Sequence, residues 1–319
     1  MPPDESTNSL PLVGRVGEGV PVDELMRRAR WPILRRLGFH PGGDERSRFR
    51  GAGIEYSDVR EYQAGDDPRT IEWNITARSD RPFVRESQPD RGADVWLLID
   101  VSRSLDWGTA RVLKRQLAVE FVAAVGQLLV SRGNRVGALL FDNRVRAIVP
   151  PSSGRTALLR LVARLERAGA GESEPTDLAR VITEAGRLMR RSSLVMLLTD
   201  FMTADGWQQP LSSLALRHEV IAVWLFDPRE REIPDVGVVT FEDPESGRQL
   251  IVDTRDARLR SRFAEAATQQ RETIRVQLQR CRVGVAELGT ASELVPQLVR
   301  FINQRDAERS VRHPDLVRQ

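Results

Sequence analysis

The sequence predicts an α/β protein built on a doubly wound, mostly parallel sheet with helices on both faces. Two observations carry this. The apolar runs "DVWLLID" (94–100), "SLVMLLTD" (193–200) and "EVIAVWLFD" (219–227) each end on an aspartate and lack the polar alternation of a half-exposed strand. Between them lie segments with apolar residues at helical spacing. Strands alternating with helices call for a parallel sheet joined by right-handed crossovers, with binding sites at the carboxyl ends of its strands.

Taken in order, residues 1–21 are rich in Pro, Gly and Ser and read as a disordered tail. Residues 22–91 form an N-terminal extension. It opens with a short helix over 22–37 on Leu25, Met26, Ala29 and Ile33, interrupted near Pro32, and continues through a glycine-rich loop. The α/β domain spans 92–304. Its first strand is followed by a helix on Leu113, Leu117, Phe121, Val125 and Leu128. Two short strands then flank the turn-like pair Asp142-Asn143. Helices follow over 156–168 and 176–191, and a further helix over 207–218 separates the second and third aspartate-ended strands. Residues 236–254 break the alternation and read as a β-hairpin around a Pro-Glu-Ser-Gly turn, rising from the carboxyl-end face. A long helix on Leu259, Phe263, Ile274 and Leu278, a strand "CRVGVAEL" and a helix over 292–305 complete the domain, and 305–319 reads as a loose charged tail.

Composition narrows the function. Of 319 residues 40% are hydrophobic and 29% charged, as in a soluble globular protein. The formal net charge is only +3, and arginines alternate with carboxylates along most of the chain, which argues against nucleic-acid binding. Lys114 is the only lysine and Cys281 the only cysteine, so no internal disulfide forms. Three scattered histidines and one cysteine make a zinc site a poor fit. No apolar run approaches a membrane span, and "MPPDESTNSLPLVG" lacks the character of a signal peptide, so the expected location is cytoplasmic.

The strand ends hold the candidate chemistry. Asp100 ends the first strand, and Ser102 and Ser104 follow in the loop. Asp200 ends "LVMLLTD", which the common doubly wound order makes a neighbour of the first strand. Thr176 opens a helix whose leading loop can reach the same rim. Two carboxylates and three hydroxyls are an all-oxygen donor set suited to Mg²⁺ or Mn²⁺. The competing reading makes the aspartates plain strand ends and the three hydroxyl residues helix caps.

"LLIDVSRS", "PTDLARVI" and "LVMLLTDF" together resemble the von Willebrand factor A domain and its metal-ion-dependent adhesion site. That resemblance covers about 92–304 and implies that Asp100, Ser102, Ser104, Thr176 and Asp200 hold Mg²⁺ while a ligand carboxylate completes its shell. Two positions depart from the pattern: Arg103 where glycine is frequent, placed to modulate the ligand, and Phe201 after Asp200 where glycine is common.

Ahead of the domain, residues 54–90 are dense in charge yet carry Tyr56, Tyr62, Ile71, Trp73 and Phe83. One reading is a brace, with Arg60, Asp66, Asp67, Arg69 and Arg78 paired among themselves and Trp73 packed as an anchor; the other is a partner-docking surface. The string "YSDVREYQAGDDPRTIEWNITAR" ahead of "WLLIDVSRS" is similar to the bacterial domain-of-unknown-function 58 proteins. These pair the signature with an A-like domain, are often encoded beside MoxR-type AAA+ ATPases, and in longer members carry membrane helices, so this chain resembles their short soluble form. The resemblance implies a non-enzymatic adaptor for such an ATPase or its client. The alternative is a metal-dependent hydrolase or phosphotransfer enzyme in the same crevice. It lacks a G-x-S-x-G elbow and a Walker loop, though Asp227 offers a further carboxylate.

Overall fold

The computed structural model describes residues 59–62, 71, 73–79, 81–85, 92–168, 175–242 and 249–312. The expected tail over 1–21, the helix over 22–37, the loop after it and the tip of the hairpin fall outside these.

Six strands form the central sheet: β3 (Asp94–Asp100), β4 (Arg135–Phe141), β5 (Val145–Ser152), β6 (Leu194–Thr199), β7 (Glu219–Phe226) and β10 (Gly284–Gly289). Their spatial order is β10-β7-β6-β3-β4-β5, all parallel except β5, which pairs antiparallel with β4. The winding direction reverses between β3 and β6, so Asp100 and Asp200 leave the sheet on neighbouring strands, as expected.

Alternate side chains of β3 face opposite cores. Val95, Leu97 and Ile99 pack with α2 (Lys114–Val130), α3 (Arg155–Arg167) and α7 (Leu294–Arg312). Leu98 packs with α4 (Leu178–Leu188), α5 (Gln208–Ala215) and α6 (Ala257–Arg280). A strand buried on both faces must be apolar at every position, which explains the continuous run. Each fully buried leucine contributes about 2 kcal/mol.

Two boundaries and one packing position differ from expectation. The helix after β3 begins at Lys114, because the chain first makes a short 3₁₀ turn over Arg103–Asp106. The last helix runs to Arg312, well into the segment expected as a loose tail, since after Pro296 in its first turn neither Gly nor Pro follows before Pro314. Trp73 does not pack as an anchor: it is 68% exposed. It opens the four-residue α1 (Trp73–Thr76), which is tied to β2 (Phe83–Arg85) by the Phe83 N–H donating to Thr76 Oγ1 at 3.0 Å. β2 pairs antiparallel with β1 (Val59–Glu61), and Arg81 bridges to Glu61. Arg60 lies on β1, while Asp66, Asp67 and Arg69 lie outside the described residues.

The expected hairpin forms a separate two-stranded sheet, β8 (Val238–Glu242) with β9 (Gln249–Asp253), and follows the carboxyl end of β7. Its base is closed by buried Thr254, whose Oγ1 donates to Gly237 O and accepts from Val236 N. Among the described residues no helix is long and apolar enough to cross a membrane.

Candidate metal site

The loop after β3 folds tightly against its own aspartate. The Ser102 N–H donates to Asp100 Oδ1 at 2.9 Å, a turn that aspartate favours by accepting from the backbone two residues on. Thr199, at the end of β6, donates its hydroxyl to Asp100 Oδ2 at 2.7 Å. Ser102 and Ser104 are buried, with their hydroxyl oxygens 3.0 Å apart. Arg103 between them is exposed.

The helix-cap reading of these hydroxyls is not what forms. Ser102 opens the 3₁₀ turn without a side-chain cap bond, and α2 is capped by Gln116, which accepts the Leu113 N–H. The cap of α4 is Asp177, accepting from Arg180 N, not Thr176. Thr176 is buried, and among the described residues its Oγ1 has no hydrogen-bond partner. A buried hydroxyl without a partner costs about 1–3 kcal/mol. The Thr176 carbonyl accepts from Thr203 Oγ1 at 2.5 Å, which ties this loop to the one after Asp200.

Asp200 is held on several sides. Its Oδ1 accepts the Met202 N–H at 3.0 Å, and its backbone carbonyl accepts from Trp224 Nε1 at 3.0 Å. Phe201 adopts φ 58°, the left-handed conformation that makes glycine common there. The phenylalanine is kept by packing: its ring lies 5.2 Å from Trp207 and 6.0 Å from Trp224. Aromatic burial of this kind outweighs a strain of about 1–2 kcal/mol.

Two residues of this region were not singled out as site residues from the sequence. Lys114, at the first turn of α2, is 1% exposed and places its Nζ 2.6 Å from Asp200 Oδ2 and 2.6 Å from Glu230 Oε1. Burial pushes its ammonium toward neutrality, but the Asp200 and Glu230 charges outweigh that and hold its pKa above the ordinary lysine range. Glu230 lies in the 3₁₀ turn after β7 (Pro228–Glu230), and its other oxygen accepts the Asp227 N–H. The signal for Lys114 was visible as the single lysine among arginines. Glu230 sits in "DPRERE" and had none.

Electrostatics separate the strand-end carboxylates. Burial first, then the charge of Asp200, push Asp100 up to about 7 against the hydrogen bonds from Thr199 and Ser102. Among the described residues no cation forms an ion pair with Asp100, whereas Asp200 has Lys114. Asp227, offered above as an extra carboxylate, is spent. It accepts from Thr109 N, Thr109 Oγ1, Thr290 Oγ1 and Arg229 N, and those bonds hold its pKa below the ordinary range despite burial.

The profile of the family described as "Protein of unknown function DUF58" matches residues 58–273. The chain belongs to this family. Uncharacterized protein Rv1480 of Mycobacterium tuberculosis is 38% identical over 268 residues, covering 82% of this chain and 83% of that protein. Uncharacterized protein MAV169 of Mycobacterium avium is 36% identical over 162 residues, 49% of this chain and 93% of its own. Among solved structures, the conserved hypothetical protein BatB from Bacteroides thetaiotaomicron aligns at TM-score 0.42 and 15% identity, over 68% of this chain and 100% of its own. The SpRpn10 VWA domain aligns at TM-score 0.35 and 10% identity, over 66% of this chain and 94% of its own.

Proposed function

We propose that this DUF58 protein is a non-enzymatic interaction module that binds a partner's carboxylate through a divalent cation and works with a MoxR-type AAA+ ATPase in protein assembly or maturation. The observation that carries the cation is the unspent oxygen at one rim. Among the described residues the Thr176 hydroxyl is buried without a partner, and the Ser102 and Ser104 hydroxyls lie 3.0 Å apart with the Ser102 side chain also turned to Asp100. Beside them Asp100 is a buried carboxylate with no ion pair among the described residues. Hydroxyls with carboxylates fit a hard cation, Mg²⁺ or Mn²⁺, held by Asp100, Ser102, Ser104 and Thr176 with Asp200 behind them.

When bound, the ion supplies a Lewis-acid position that neutral hydroxyl ligands leave open to an outside carboxylate oxygen. The chain's own groups then do the rest. Asp100 is aimed by the Ser102 N–H and the Thr199 hydroxyl, and Asp200 is fixed by Met202 N. Exposed Arg103 flanks the approach and modulates which carboxylate fits. The ATPase partner follows from the family resemblance, and exposed Trp73 in the signature segment is a second docking residue. The hydrolase alternative has lost its spare carboxylate, because Asp227 is engaged by four donors.

The test is co-purification of the full chain with a MoxR-type ATPase in Mg²⁺ and in EDTA, for wild type and Asp100→Ala. Binding is expected in Mg²⁺ only, and only for wild type, while circular dichroism shows Asp100→Ala folded. Partner binding that ignores both the chelator and the substitution contradicts the proposal.

A further inference from the structure

The placement of Lys114 goes against three local preferences. It is the only lysine in a chain whose other basic side chains are arginine. It lies in the first turn of a helix, where the backbone dipole disfavours a cation. It is also fully buried, where a lysine is rarely found unless paired. Two carboxylates 2.6 Å from its Nζ compensate, and one of them belongs to Asp200. Arginine is a poor substitute there, since its broad planar fork does not replace a point charge shared between two carboxylates in a closed slot.

Resting on the divalent-cation reading above, we infer that Lys114 is a tethered counter-ion that competes with the metal for Asp200 and keeps the site's intrinsic metal affinity low. Asp200 and Glu230 flank the ammonium, and Asp100 feels the like charge of Asp200 without a contact to Lys114. Without a metal, the ammonium compensates Asp200 and leaves Asp100 uncompensated. A divalent ion arriving beside Asp200 meets a fixed positive charge already bound to it, and the two repel. Glu230 offers the ammonium a second seat: it already accepts from Nζ, so Lys114 can lean away from Asp200 without being left unpaired. Lys114 is therefore a positioning residue, setting how much of Asp200 a metal can claim.

The experiment titrates Mn²⁺ into the full-length chain and reads the free ion by electron paramagnetic resonance, with folding checked by circular dichroism. Lys114→Met keeps the length of the side chain and removes the charge. It is expected to bind Mn²⁺ about tenfold tighter or more, by Coulomb's law at these separations. Its unfolding temperature, lower than wild type in EDTA, is expected to recover on adding Mn²⁺. Glu230→Gln, at a less buried position, leaves Lys114 with Asp200 alone and is expected to bind Mn²⁺ several-fold more weakly. A folded Lys114→Met with unchanged or weaker affinity overturns the inference. If that variant does not fold, a Glu230→Gln affinity equal to or tighter than wild type overturns it. Mn²⁺ bound by wild type and lost in Asp100→Ala, yet indifferent to Lys114→Met, removes only the role of Lys114. Absence of Mn²⁺ binding in every variant removes the cation reading beneath it.

Discussion

Asp100 and Asp227 end two parallel strands on one rim of the sheet, and both are shut away from solvent, yet their surroundings treat the charge in opposite ways. Four donors from three segments converge on Asp227 and draw its pKa down. Asp100 has one amide and one hydroxyl, faces the like charge of Asp200, and is pushed up to about 7. A strand-end aspartate is thus not a site by position. The measure is how much of its charge the protein has already compensated: Asp227 braces the loops that meet over β7, and Asp100 has no ion pair among the described residues.

The sharpest way to break this contrast is to remove Asp227. Asp227→Ala leaves two threonine hydroxyls and two amides without their acceptor and is expected to cost about 3 kcal/mol in denaturant unfolding. Metal-induced stabilisation should persist in the protein that remains folded. The same carboxylate gives a pH signature. Its folded pKa lies below the unfolded value, so its contribution is present above about pH 4 and is lost as pH falls through the folded value. The stability gap between wild type and Asp227→Asn should therefore narrow below about pH 4 in urea melts.

Asp100→Asn is expected to behave the other way. Removing a raised, uncompensated carboxylate should increase stability at pH 8 in EDTA, because the charged form is the one the fold disfavours there, while abolishing any rise in unfolding temperature on adding Mg²⁺. A loss as large as that of Asp227→Ala would erase the distinction between the two aspartates.

Thr176→Val is the mildest test. Replacing an unpartnered buried hydroxyl by a methyl should leave stability in EDTA unchanged or raise it by up to about 1 kcal/mol, and weaken Mn²⁺ binding by about tenfold, read by calorimetry. If the variant is destabilised in EDTA, the hydroxyl has a partner within the chain and is not waiting for an ion.

Much of this was legible in the sequence, for physical reasons. Apolar runs such as "DVWLLID", too short for a helix, suit strands buried on both faces, and their alternation with helical periodicity points to a parallel sheet. Strand order follows from few allowed connections, which is why Asp100 and Asp200 could be paired a hundred residues apart. Hydrogen-bond bookkeeping was not legible: a cap role for Ser102, Ser104 and Thr176 stood as the competing reading until Gln116 and Asp177 were seen capping α2 and α4. Phe201 looked like a departure from the pattern because the Trp207 and Trp224 rings that hold it come from later in the chain. Lys114 and Glu230 meet across 116 residues, a pairing that no local pattern encodes. The exposure of Trp73 was likewise invisible, since an aromatic among charges reads as an anchor until the packing is known.

The central claim is that the unspent oxygens at Asp100, and not the engaged carboxylate of Asp227, form a cation site. The direct measurement is anomalous diffraction from crystals of the full chain grown with Mn²⁺. The account predicts an anomalous peak within bonding distance of the Ser102 and Ser104 hydroxyls, bordered by Asp100 and Thr176. A peak at Asp227, or none at Asp100 under saturating Mn²⁺, would contradict it.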